Sequence, residues 1–222
     1  MPKRLSKQAK RNNILIVVIL VACGLLIGAF GYNITHVATK EVVDTGETLD
    51  LVKSDLKNDL YRLGNNPTDV QKEYFEELTS ALKDKDPYEI TSAVVKCFVA
   101  DYFTWTNKDG NYEVGGLAYI YGPKFTIFQE KTRYEFYKDL DLYIHQYGRE
   151  NLLQVKDIQL TEAVYNGKYS IYGEEFESYY VEATWEYEDT PFDTSEFQKT
   201  GYFTVVDRDG RFEIVSIFDS WD

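Results

Sequence analysis

The chain has 222 residues with a net charge of −13; 44% of its residues are hydrophobic and 16% aromatic. That length excludes a large multidomain enzyme, and so aromatic a composition excludes a mostly disordered chain, which lacks the apolar surface to offset the entropy of ordering. The acid excess argues against direct nucleic-acid binding, because phosphate backbones are held by Lys and Arg.

The charge is divided unevenly along the chain. Residues 1–40 carry Lys3, Arg4, Lys7, Lys10, Arg11 and Lys40 and no acid, a net of +6, so the −13 of the whole chain leaves −19 on residues 41–222. Between Arg11 and Lys40 no residue is formally charged, and an apolar run from Ile14 to Phe30 continues through Gly31 and Tyr32. About 20 helical residues are what a bilayer core of about 30 Å requires. The pattern predicts one membrane-spanning helix over 14–32. The Lys and Arg residues on its N-terminal flank place residues 1–13 in the cytoplasm by the positive-inside rule. Residues 33–67 are then expected to form an extracytoplasmic stalk and residues 68–222 an extracytoplasmic domain.

Two rival readings concern the same segment. A cleavable signal peptide has a shorter apolar region, about 7–15 residues, ending at a small-residue site, whereas here the apolar character runs on. Leu20-Val21-Ala22-Cys23 resembles the lipobox of bacterial lipoproteins, whose Cys is acylated, yet Gly24 to Phe30 stay apolar where a lipid-anchored chain leaves the membrane in a polar tether. Spanning is the favoured reading, and Cys23 as a lipid anchor is the alternative. With Cys23 in the membrane, Cys97 stands alone outside, so no intrachain disulfide is expected, and its apolar helical context marks a buried thiol. His36 and His145 lie far apart with no zinc-like spacing, so no metal or other cofactor is expected.

In chain order, Leu49, Val52, Leu56, Leu60 and Leu63 step by three or four and predict an amphipathic stalk helix from Glu41 to Leu63, broken by Gly64-Asn65-Asn66-Pro67. Thr68 with Gln71 matches a capping box and opens a helix bearing Val70, Tyr74, Phe75, Leu78 and Leu82. Asp86-Pro87 opens another, carrying Ile90, Val94, Cys97, Phe98 and Tyr102 to about Trp105. Asn107 to Gly110 is a turn. Gly115–Tyr147 reads as mostly helical, interrupted near Gly122-Pro123 and stopped by Gly148.

After Gly148 the period becomes two. Tyr179, Val181, Ala183, Trp185 and Tyr187 alternate with polar residues, as do Phe212, Ile214, Ser216 and Phe218 with their neighbours. Asn166-Gly167 and Asp209-Gly210 are strong hairpin signals. Strands are predicted at about 152–165, 168–173, 176–189, 197–207 and 211–219. The fold class expected is α+β: helices packed on a curved antiparallel sheet.

The order of elements, the aromatic inner face and the closing Asp207-Arg208-Asp209-Gly210-Arg211-Phe212-Glu213-Ile214 hairpin resemble the nuclear transport factor 2-like (cystatin-like) fold over about residues 68–219. With the short basic tail and single span, the whole chain resembles the bitopic, VirB-type scaffold proteins of type IV secretion and conjugation systems. That resemblance implies a membrane-anchored extracytoplasmic domain that serves assembly, with other envelope proteins, and a second copy of the chain, as partners. It carries over no catalytic, cofactor-binding or metal residue.

The same cone-shaped fold also houses enzymes, for which Asp101, Tyr102, Asp141, His145 and Tyr147 are the formal acid–base candidates. Two have a plainer reading: Asp101 as a solvated carboxylate or cap on a polar helical face, His145 as a partly buried hydrogen-bonding residue. No nucleophile elbow, phosphate loop or dinucleotide fingerprint is present. Asp207-Arg208-Asp209-Gly210 lacks the spacing of a calcium loop and reads as a hairpin turn. The tyrosines Tyr165, Tyr169, Tyr172, Tyr179 and Tyr180 suit cross-strand pairing, or stacking on a sugar or peptide. Two functions follow: an assembly module held outside the membrane without enzymatic activity, or a membrane-tethered small-ligand or catalytic cone.

Overall fold

The structure, a computed structural model, describes residues 56–218. The expected basic tail, the span, Cys23 and the stalk before Leu56 lie outside the described residues, among which no helix is long and apolar enough to cross a membrane.

Helix α1 (Asp69–Asp84) opens with the expected capping box: the Thr68 hydroxyl accepts from the Gln71 N–H at 3.3 Å, and the Gln71 side chain accepts from the Thr68 N–H at 2.9 Å. Two of the helix's unpartnered N–H groups are thereby satisfied locally. Helix α2 (Pro87–Tyr102) starts where the Asp86 carboxylate accepts from the Tyr88 N–H, with Pro87 in the first turn. It is buried nearly all round, from Ile90 to Ala100, because α1 covers one side and the sheet the other. The helix stops at Tyr102, short of the expected Trp105, whose N–H instead donates to the Leu153 carbonyl at 2.7 Å. Short 3₁₀ turns at Leu117–Tyr119 and Gly122–Lys124 lead into α3 (Phe125–Tyr134) and α4 (Leu140–Tyr147), and Gly148 ends α4 at φ +79°.

Five strands form one antiparallel sheet: β1 (Val155–Leu160), β2 (Val164–Ile171), β3 (Glu174–Tyr187), β4 (Thr200–Arg208) and β5 (Arg211–Phe218). The 14-residue β3 is long enough to take two partners on one edge: β2 along Glu174–Tyr180 and β1 along Ala183–Tyr187. The expected strand 152–165 is therefore split. Asn166-Gly167 is not a hairpin turn either: Gly167, at φ +78°, sits inside β2 where the register against β3 slips between Tyr165 and Lys168. The one extra residue on β2 makes a bulge. The reversal comes at Tyr172-Gly173, both at positive φ, and Asp209-Gly210 turns β4 into β5 as expected.

The predicted stalk helix is corrected where it is visible. Residues 56–63 form a tight two-stranded turn in which Lys57 bridges Arg62 and the Leu63 N–H donates to the Leu56 carbonyl. The three-and-four spacing of Leu56, Leu60 and Leu63 arises in a turn that packs on its own domain. Tyr61 is buried there, its hydroxyl donating to the Phe212 carbonyl at 2.7 Å and accepting from the Phe212 N–H at 2.9 Å. Arg211 reinforces the junction, reaching the Leu60 and Ala118 carbonyls and the carboxylate of buried Glu213 while lying over the Tyr61 ring.

The main core lies between α1, α2 and one sheet face, where Leu78, Val94 and Phe98 meet Val181, Phe203 and Ile214. Trp105, Tyr137, Leu140, Leu152 and Leu153 form a second cluster, and Tyr121, Ile171, Val206 and Val215 a third. The coarse expectation of helices against an antiparallel sheet matches this architecture.

Candidate functional site

Among the described residues a half-open groove of about 580 Å³ lies between α3, the C-terminal end of α2 and β5. Its floor is aromatic. Phe98 stacks on Tyr102 with ring centroids 5.0 Å apart, and Phe128 of α3 packs edge-on against Phe98 and tilted against Tyr102. Gly116 holds this floor close, because its φ of +74° suits glycine and a Cβ there would meet the Phe98 ring at 2.6 Å. Ile127 and the β5 residues Ser216 to Phe218 form the sides, with Ile127 and Phe218 largely exposed.

The groove also carries polar groups, from Lys124, Lys131, Thr132, Glu135, Gln198 and Ser216 and the phenols of Tyr102 and Tyr172. Thr132, buried on α3, lies with its hydroxyl 3.4 Å from that of Tyr102. Burial pushes the Tyr102 phenol up to about 12, against a smaller lowering by the Thr132 hydroxyl. Lys124 donates to the Val215 carbonyl at 2.7 Å, and at the mouth Lys131 stands 3.7 Å from Glu135, one turn along α3. Two ammonium groups and one carboxylate thus surround an apolar trough, in a chain that is otherwise strongly acidic.

The five acid–base candidates are scattered. Of them, Tyr102 alone lines the groove. Asp101, one residue earlier, points away into a stitched loop cluster and is not the solvated carboxylate expected from its helical position. Its carboxylate pairs with the buried Lys108 ammonium at 2.6 Å and accepts from the Gly116 N–H at 2.7 Å, with the Gln71 amide 3.4 Å away. Gly115 permits this approach, since a Cβ there would overlap the Asp101 carbonyl. Arg149 completes the cluster by donating to the Lys108 carbonyl and pairing with Asp109. Asp141 and His145 are exposed on α4, which corrects the expectation of a partly buried histidine, and Tyr147 accepts a hydrogen bond from neighbouring Gln146.

Elsewhere, Cys97 is buried as expected, its Sγ donating to the Tyr74 carbonyl, and burial pushes the thiol up. Among the described residues no group of three His, Cys, Asp or Glu side chains is placed to hold a metal. Asp207–Gly210 is a hairpin turn in which the Asp207 carboxylate accepts from the Gly210 N–H. Tyr165 packs edge-on against Tyr179 and donates to the Glu177 carboxylate, a cross-strand use of the tyrosines. The groove was not visible in the sequence, because its walls come from residues 98–103, 120–135 and 214–218 together with Tyr172 and Gln198. The short aromatic helix after Gly122-Pro123 is the one local signal that marked it. Comparison with protein-family models, curated proteins and solved structures finds no match to the chain.

Proposed function

We propose that the chain is a membrane-anchored extracytoplasmic assembly module, its α+β domain a cone of the nuclear transport factor 2-like kind, acting as a scaffold component of a conjugative type IV secretion system. The membrane placement is supported by the uncharged run between Arg11 and Lys40 with its basic N-terminal flank. The observation that carries assembly over catalysis is the chemistry of the groove. It offers aromatic and aliphatic contact with a lysine rim; the candidate acid Asp101 is already engaged by Lys108, and the carboxylate that lines the groove, Glu135, is exposed beside Lys131 rather than desolvated. A phenol pushed up to about 12 is a poor base near neutral pH, since useful acid–base groups titrate close to the working pH. Contact is what such a surface does well.

The test is made in the host membrane with the full chain. A cysteine at Glu196, an exposed position, should react in intact cells with a reagent that cannot cross membranes, and one at Ser6 should not. Labelling at Ser6 alone inverts the topology. Asp141→Asn and His145→Gln should leave transfer activity within a few-fold, whereas loss of a chemical step costs about a hundredfold or more. Abolished activity in a His145→Gln protein that melts normally and still assembles overturns the reading. The second reading, a small-ligand cone, is favoured by one observation: the groove volume lies within the range of about 300–1,000 Å³ found for small-molecule sites.

A further inference from the structure

We propose that the groove between α3 and β5 binds a single-tailed organic carboxylate, its apolar tail laid along Tyr102 and Phe128 and its anionic head held between Lys124 and Lys131. The inference rests on the groove alone and holds whether or not the domain serves assembly. Three features of the site converge on this class. First, the trough is about 580 Å³ and half-enclosed, room for one drug-sized molecule rather than a two-chain lipid. Second, the partly exposed rings of Tyr102 and Phe128, backed by the buried Phe98, give an aliphatic or aromatic tail apolar surface to cover.

Third, the charge at the mouth is inverted relative to the rest of the chain. Residues 41–222 carry −19, yet the groove is rimmed by two ammonium groups against one carboxylate. A long-range field so negative repels anions, so a local cationic rim over an apolar trough selects an anion that also brings apolar surface. The geometry leaves Lys131 available for such a head: its contact with Glu135 is long, at 3.7 Å, and both side chains are about two-thirds exposed, where an ion pair is worth little. Glu135 then works against binding, which gives the proposal a test in both directions.

The test uses the full chain in lipid nanodiscs and a decanoic acid analogue carrying a photoreactive diazirine in its tail, with adducts mapped by mass spectrometry. Adducts should fall on residues 124–135 and 214–218. Decanoate should compete at least tenfold better than decyltrimethylammonium, which has the same tail and the opposite charge. Lys131→Gln should weaken competition by decanoate about tenfold, and Glu135→Gln should strengthen it several-fold, both in protein whose thermal melting is unchanged. Adducts elsewhere, equal competition by the two amphiphiles, or indifference to both substitutions overturn the proposal. Competition by phosphatidylglycerol in the nanodisc without competition by decanoate also overturns it, since the occupant is then a membrane lipid. None of these readouts depends on transfer activity, so failure here leaves the assembly reading where it was.

Discussion

Asp101 and Tyr102 are neighbours on the last turn of α2, yet they face two regions built on opposite plans. Around Asp101 every charge is answered: Lys108 by Asp101, Asp109 by Arg149, the Gly116 N–H by the Asp101 carboxylate. Around Tyr102 the surface is aromatic, half-open and lined by side chains that reach solvent, such as Ile127. A region whose charges are paired among themselves serves to fix loops; a region that leaves apolar surface in reach of water has contact to offer. Of the acid–base candidates, Asp101 was drawn into the first region and Tyr102 into the second.

The largest expected effect separates the buried phenols from everything else by pH. Burial raises Tyr61, Tyr119, Tyr137 and Tyr187 above the ordinary phenol value, and Tyr102 to about 12. A group raised on folding contributes stability that is whole below its unfolded value, about 10, and is lost as pH climbs towards the folded value. Each phenol removes about 1.4 kcal/mol per pH unit in that window, so several together exceed the stability of an ordinary domain. Cooperative unfolding between about pH 10 and 12, followed by circular dichroism with tyrosinate absorbance, is the expected outcome. Smooth ionisation of all tyrosines in a protein that stays folded would show that these phenols are not enclosed.

Next comes the stitched cluster. Asp101→Ala strands the Lys108 ammonium, only 7% exposed, and frees the Gly116 N–H, a change that typically costs about 3–5 kcal/mol. Adding Lys108→Met should recover most of that loss, because the isolated charge and not the missing attraction is the damage. Urea unfolding of the single and double variants measures both. If Asp101→Ala unfolds like the parent, the cluster is solvated and the contrast between the two regions fails. Tyr61→Phe should cost less, about 1–3 kcal/mol, by leaving the Phe212 carbonyl and N–H without their buried partner.

What was legible in the sequence was chemistry that closes over a few residues. The capping box of Thr68 and Gln71, the Asp86-Pro87 start and the Asp209-Gly210 turn each satisfy their own backbone groups, so no distant contact is needed to decide them. Asn166-Gly167 failed because positive φ serves a bulge as well as a turn, and the choice was made by β3, which is long enough to carry the bulged strand past that point. The turn at 56–63 failed for a like reason: a stripe of leucines fits a helix until Tyr61 and Arg211 tie the segment to β5, 151 residues away in sequence. The site was harder still. Asp101 reads as a helix-face acid, and only the loop that returns Lys108 and the Gly115-Gly116 pair turns it inward.

The smallest expected effect on stability tests the open side of the comparison. Ile127 is 66% exposed at the edge of the groove, so Ile127→Ser removes little buried surface, and substitutions of exposed residues usually stay within about 0.5 kcal/mol. Phe98→Ala is the internal control: its ring is wholly buried, shared between the groove floor and the main core, and its loss should cost about 3–5 kcal/mol. The two residues line the same cavity, so a groove that is open at its rim and solid at its floor predicts a large gap between the two variants in one denaturation series. A cost above about 1 kcal/mol for Ile127→Ser would mean that the rim is covered in the folded protein, because an exposed side chain has no such burial to lose. The surface would then belong to the fold, as the Asp101 cluster does, and not to a ligand or partner.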